Sequence, residues 1–357
     1  MKTKIIRVSP ESIETDYEVL IEPATALRNG ELVAFPTETV YGIGANSLLD
    51  NSVRKIFEVK GRPQDNPLIV HLHSKDVIRK YAIISNEVEE GIISKFMPGP
   101  ITVVLKSCGV VSSVVTAGLD TVGIRIPYNI IAQKLLELAC VPVSAPSANL
   151  SGKPSATDPV SVIEEFRGKI PYIIDGGRTH IGIESTVVLV KEESDRFKIL
   201  ILRPGFITKE DLEGFVSENK FSKPVFVEYS ENFSSERPIS PGQKYKHYSP
   251  KSKVVLLNDK SKLDEFFKVV GNGRIGILGK FDFINDLELY LINLGFKDIL
   301  KVEWCGNDLL ECARNLFLYY RFFDREGVEF LFVENLGNSG IAYSIMNRVK
   351  KSASYVL

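Results

Sequence analysis

Between Phe221 and Pro250 the apolar periodicity that organises the rest of the chain fails, and no other feature limits the possible fold so strongly. The stretch gathers serine, proline and glycine in Ser234-Ser235-Glu236-Arg237-Pro238-Ile239-Ser240-Pro241-Gly242. That composition cannot bury enough apolar surface to order itself, so it reads as a linker. With 357 residues, 44% of them hydrophobic and 25% charged, the chain has enough apolar material for a core on either side. The predicted organisation is a domain over residues 1–220, a linker or lid over 221–250, and a smaller domain over 251–357.

The two flanks are patterned differently. From Glu31 to Leu202 short β-branched runs alternate irregularly with amphipathic stretches, which predicts a mixed α/β domain carrying its polar motifs at element ends. Strands are expected at Leu32–Phe35, Leu68–Leu72, Thr102–Leu105, Val122–Ile126, Tyr172–Ile174, Thr186–Val190 and Phe197–Leu202. Helices are expected at Glu87–Phe96, Ile130–Ala139 and Asp158–Phe166. A further helix, capped by Asp50 and ended by Gly61 and Pro63, would leave Lys60 and Arg62 at its mouth. Beyond Pro250 strands at Val254–Leu257, Ile275–Leu278, Ile299–Val302 and Phe330–Val333 each precede a helical stretch. Four βα units predict a small parallel Rossmann-like sheet. Its first turn, after Leu257, has no Gly-x-Gly-x-x-Gly run, so the pattern does not support a nucleotide there.

Lysine and arginine number 44 against 45 acidic residues, a net charge of −1, so a polyanion must be held by a local cluster rather than by a general field. Cys108, Cys140, Cys305 and Cys312 show neither a Cys-x-x-Cys pair nor zinc-finger spacing, and are expected to be reduced in a cytoplasmic protein. The first eight residues alternate like a strand, and no apolar run approaches the length of a membrane span.

Several residues carry possible chemistry. Lys60-Gly61-Arg62-Pro63 and Ser147-Ala148-Asn149 together supply a point charge, a guanidinium fork and two small polar groups, the parts from which a phosphate site is built. A solvated pair of bases beside an unrelated turn is the plainer alternative. Arg125 ends an otherwise apolar strand, where a guanidinium needs a carboxylate or phosphate partner. It is either a structural ion pair or a substrate arginine. Arg203 repeats the arrangement at another strand's exit. His71, at a strand end, is a substrate contact or a satisfied structural group, not a general base. Gly42-Ile43-Gly44 is a partial glycine pattern. No serine, cysteine or lysine has the context of an activated covalent nucleophile, so catalysis should depend on positioning and charge neutralisation.

These runs, preceded by Pro36-Thr37-Glu38-Thr39-Val40-Tyr41-Gly42 and followed by Ser185-Thr186-Val187-Val188, resemble in the same order the YrdC/Sua5 family of threonylcarbamoyl-AMP synthases. The resemblance implies a twisted open α/β domain with a concave face, and a nucleotidyltransferase that joins L-threonine, bicarbonate and ATP for tRNA t6A modification. It implies Lys60, Arg62, Ser147 and Asn149 as the catalytic group. Thr39, His71, Arg125, Ala145 and Ser185 would bind L-threonine. Lys60, Arg62, Asn66, Thr121, Ser147, Ser155 and Arg203 would bind ATP, with Mg²⁺ carried on its phosphates. Product would pass to a downstream threonylcarbamoyl transferase complex of the TsaD type. The segment Ser240-Pro241-Gly242-Gln243-Lys244-Tyr245-Lys246-His247-Tyr248 resembles the part of the two-domain Sua5 branch that folds over the active site. Tyr245 and His247, as alternate residues, would face one way over a ligand or pack between domains. Two other classes compete. One is a module that binds double-stranded RNA or tRNA without adenylation, disfavoured by the neutral charge. The other is a carbamoyltransferase related to hydrogenase maturation factors, which would want acylphosphatase and zinc-finger sequences that are absent.

Overall fold

The computed structural model describes residues 1–230, 247–270, 273–306 and 308–357. They divide into two compact units, residues 1–151 with 155–230, and residues 152–154 with those described from 247 to 357. The first unit contains strands β1 (Lys4–Arg7), β2 (Val33–Phe35), β3 (Gly42–Asn46), β4 (Ile69–His71), β5 (Ala82–Ile83) and β6 (Ile101–Ser107). It continues with β7 (Thr121–Arg125), β8 (Val143–Ser144), β9 (Tyr172–Asp175), β10 (Thr186–Glu192), β11 (Phe197–Arg203) and β12 (Val225–Tyr229). These form one mixed sheet in the order β1-β9-β2-β3-β8-β4-β7-β6-β10-β11-β12, with β5 paired to β6. Helices at Glu87–Phe96, Ile130–Ala139 and Pro159–Phe166 stand where the apolar periodicity predicts them.

Short buried strands explain what sequence patterning misses here. β3 is buried throughout, and its Gly42-Ile43-Gly44 serves packing rather than a phosphate turn. A Cβ on Gly44 would lie 2.8 Å from both Phe35 and Val143 side chains, too close for any larger residue. β12 falls inside the stretch expected to be linker. Only Val227 of its five residues is buried, so it offers no apolar alternation, yet it pairs in parallel with β11 along its whole length.

The helix Asp50–Lys60 shows how the chain delivers charge to the site. Leu49, not the expected Asp50, occupies the cap position. Asp50 instead opens the first turn, where a carboxylate complements the helix dipole. The other end is as expected. Gly61 adopts φ 60°, its N–H donates to the Glu58 carbonyl and the Arg62 N–H to that of Phe57. This paired closure requires a left-handed residue. Lys60 is thus the last helical residue, and Arg62 follows the reversal.

In the second unit β13 (Lys253–Leu257), β14 (Ile275–Gly279), β15 (Ile299–Glu303), β16 (Phe330–Glu334) and β17 (Tyr355–Val356) form a sheet of order β15-β14-β16-β13-β17, parallel at every pairing. Helices between consecutive strands make it the predicted Rossmann-like layer, with β17 as a fifth strand too short to be read from sequence. The expectation for the cysteines is corrected here. Cys305 and Cys312 form a disulfide with Cα atoms 5.1 Å apart, while Cys108 and Cys140 are free and exposed. The pair is local, joined across the turn that enters the helix Leu309–Arg325, and such proximity has no spacing motif. Among the described residues no helix is long and apolar enough to cross a membrane.

Candidate active site

Register across the first unit's sheet aligns much of the predicted site. His71 at the end of β4 pairs with Arg125 at the end of β7. One step beyond the Val103↔Ile124 pair, Thr102 of β6 lies on the other side of Arg125. Thr102 pairs with Val187 of β10, which pairs with Arg203 at the end of β11. The two arginines therefore occupy one transverse row. Three strand spacings separate them, roughly 14 Å.

Arg125 is 4% exposed. Its Nη2 donates to Thr39 Oγ1 at 2.8 Å and lies 2.8 Å from Glu38 Oε1. The loop carrying Glu38 and Thr39, between β2 and β3, is held by its own hydroxyls. Thr37 Oγ1 donates to the Val40 carbonyl at 2.6 Å, so in its 2.8 Å contact with Thr39 Oγ1 it must accept. A directed chain therefore runs from the guanidinium through Thr39 and Thr37 to the backbone. Arg125 Nε is buried and has no hydrogen-bond partner.

His71 is 3% exposed, and its Nδ1 lies 3.3 Å from the Ile69 carbonyl. Burial first, then the Arg125 charge, pushes its pKa down to about 3. The imidazole is neutral at physiological pH, a polar contact rather than a proton carrier. Ala145 is buried beside it, its N–H donating to the Ile69 carbonyl at 3.0 Å.

At the other end of the row Arg203 Nε and Nη2 donate to the Ser185 carbonyl at 3.1 and 2.9 Å, and Nη2 also to Ser185 Oγ at 3.0 Å. Ser185 Oγ is 2.9 Å from Thr102 Oγ1. A residue assigned to threonine and one assigned to nucleotide are thus mechanically joined. Ser155 Oγ donates to the buried Glu184 at 2.5 Å.

Lys60 is placed differently from the sequence expectation. It is 3% exposed, and its ammonium donates to the Ser147 carbonyl at 2.5 Å and to the Asn149 carbonyl. The Lys60 carbonyl in turn accepts from the Ser151 N–H at 2.8 Å. Burial, then the neighbouring Arg62, pushes its pKa well down, with Glu165 opposing. Lys60 ends the helix as expected, but its ammonium turns inward and clamps the turn. That turn is further docked by Ala148 N–H to the Tyr41 carbonyl at 2.7 Å and by a Gly42↔Ser147 bridge. Ser147 Oγ donates to Asn149 Oδ1 at 2.6 Å. Arg62 is half-buried, with Nη2 3.4 and 3.3 Å from the Asn66 and Pro67 carbonyls. Asn66 is 1% exposed, and neither atom of its side-chain amide has a hydrogen-bond partner. Thr121 opens β7, about four residues and roughly 13 Å along the strand from Arg125.

Tyr245 lies outside the described residues. His247 belongs to the second unit, where its ring is 5.6 Å from that of Tyr248, and Tyr248 stacks on Phe317 at 5.3 Å. Glu38, Thr102 and Glu184 are polar groups of the site that sequence reasoning did not assign. Only the pairing of strands and loops shows which way they face.

Comparison with known proteins bears on this arrangement. Residues 25–205 match the Sua5/YciO/YrdC family model, described as telomere recombination, and residues 207–354 match the threonylcarbamoyl-AMP synthase C-terminal domain. The threonylcarbamoyl-AMP synthase of Pyrococcus abyssi is 41% identical over 337 residues, 92% of either chain. That of Bacillus subtilis is 36% identical, covering 99% of this chain and 98% of the relative. A crystal structure of P. abyssi Sua5 complexed with L-threonine matches with a TM-score of 0.84 at 38% identity over 99% of both chains. The chain belongs to the Sua5 family of threonylcarbamoyl-AMP synthases, in its two-domain form.

Proposed function

We propose that this enzyme converts L-threonine, bicarbonate and ATP into threonylcarbamoyl-AMP and pyrophosphate for tRNA t6A modification, the product passing to a threonylcarbamoyl transferase. The observation that carries this reading is the transverse row that places the buried Arg125 and Arg203 three strands apart on one sheet, roughly 14 Å between their backbones, an arrangement suited to an amino acid at one end and phosphates at the other. The threonine complex of the P. abyssi protein supports the amino-acid end. In this scheme Arg125, with Thr39, His71, Ala145 and Ser185, receives threonine. Its carbamate oxygen attacks the α-phosphorus and pyrophosphate leaves. Arg62, Asn66, Thr121, Ser147, Ser155 and Arg203 serve the nucleotide, cationic and amide groups offsetting the charge that builds on the phosphates. Lys60 acts through the turn it holds.

The described residues contain no group of three or more His, Cys, Asp or Glu placed to hold a metal ion. In this scheme magnesium is carried on the triphosphate, where it would neutralise phosphate charge.

Pyrophosphate release from ATP should require both threonine and bicarbonate. Release indifferent to both omissions sinks the assignment, as would salt-sensitive RNA binding with no pyrophosphate formed.

A further inference from the structure

Glu38 is buried, 3% exposed, and nothing in the reaction scheme uses it. Its Oε1 faces Arg125 Nη2 at 2.8 Å, but neither carboxylate oxygen accepts a hydrogen bond, and Arg125 Nε likewise has no partner. A buried ion pair is costly to form and is weak evidence for stability in its own right. What this pair fixes is direction. Glu38 and Thr39 both engage Nη2, so the guanidinium is held from that corner and its Nε edge is left for another acceptor.

Resting on the proposed threonine reaction, we infer that Glu38 is the positioning residue for amino-acid binding: its carboxylate orients Arg125 so that the Nε edge meets the carboxylate of threonine. The negative charge also sets a threshold. Glu38 already compensates Arg125 in the buried pocket, so an incoming group must form directed hydrogen bonds to gain anything, and a diffuse anion gains little. Backbone hydrogen bonds from Ile181 to the Glu38 carbonyl at 2.9 Å and from Gly182 to that of Thr39 at 3.0 Å hold the loop against the strand-connecting segment that leads to Ser185. Glu38 also lies on the wall of a cavity of about 800 Å³ within the first unit, beside Pro100, Tyr128 and Ile181.

The test is steady-state pyrophosphate release by Glu38→Gln and Glu38→Asp in the full chain, with threonine and ATP varied separately. L-threonine methyl ester, which keeps the amine and the hydroxyl but lacks the anionic carboxylate, is the comparison substrate. Loss of one charge-assisted, oriented contact predicts a rise in threonine KM of roughly 10- to 100-fold for Glu38→Gln and a smaller rise for Glu38→Asp, with ATP KM unchanged. The preference of wild type for threonine over its methyl ester should shrink by the same factor, because the lost contact is to the carboxylate. A merely structural role would raise both KM values together and leave that preference intact, and this result overturns the inference. If Glu38→Gln does not fold, Glu38→Asp decides by the same two readouts. Failure of wild type to need threonine removes the proposed reaction itself. An unchanged threonine KM in a variant of an active enzyme removes only the role of Glu38.

Discussion

His71 gives the most quantitative prediction, because its burial beside Arg125 sets a pKa of about 3 in the folded chain against about 6.5 when exposed. The folded state resists protonation, so on acidification the unfolded state takes the proton first. The contribution is fully present above about pH 6.5 and is lost progressively as pH falls towards 3. Linkage over that window gives about 2.5 kcal/mol lost between pH 7 and pH 4.5, or about a 70-fold increase in opening. The variant His71→Gln keeps a neutral polar side chain and removes the titration. Native-state amide hydrogen exchange at Val70 in β4 and Ile124 in β7, corrected for intrinsic rates, reads this opening locally. The chain's single tryptophan, Trp304, is fully buried in the second unit and serves as an internal control by fluorescence. Wild type should lose about 2.5 kcal/mol more protection than His71→Gln over the pH interval while Trp304 reports no difference. Equal losses in the two proteins would refute the assignment of a neutral, charge-flanked imidazole.

Two further outcomes separate positioning from binding. Asn66→Leu removes a buried amide with no internal partner, so the ligand-free protein should melt no lower than wild type in a thermal scan, within about 1 kcal/mol. ATP affinity measured by calorimetry should fall at least tenfold, and unchanged affinity would remove Asn66 from the nucleotide site. Lys60→Met removes the ammonium that the Ser147 and Asn149 carbonyls accept from; the Ser147 carbonyl keeps the Asn149 N–H at 3.0 Å, so the loss is about 1–3 kcal/mol, chiefly at Asn149. Exchange should therefore quicken at the Ala148 and Ser151 amides, whereas a lysine acting only as a phosphate ligand would leave that turn undisturbed.

The division into two α/β bodies, the helix ended by Gly61, and the regular βα order after Pro250 were legible because each rests on local chemistry: periodicity, a left-handed turn, a proline stop. The motif residues were equally visible, since polar groups at strand exits stand out against apolar runs. Orientation was not. Lys60 has the same neighbours in sequence whether its ammonium faces a cleft or two carbonyls. Only the approach of the Ser147–Asn149 turn, more than eighty residues away, sends it inward.

Sequence alone determined the longer helices and strands and which polar side chains stand at their ends, because hydrogen bonding within a helix or turn and the spacing of apolar residues act over a few positions. Tertiary structure alone decided that Arg125 and Arg203 share a row, that Glu38 is the counter-charge of one of them, that β12 completes the sheet and that Cys305 meets Cys312. Each depends on strand register or chain reversal, and therefore on contacts between segments whose separation along the chain carries no signal of their meeting.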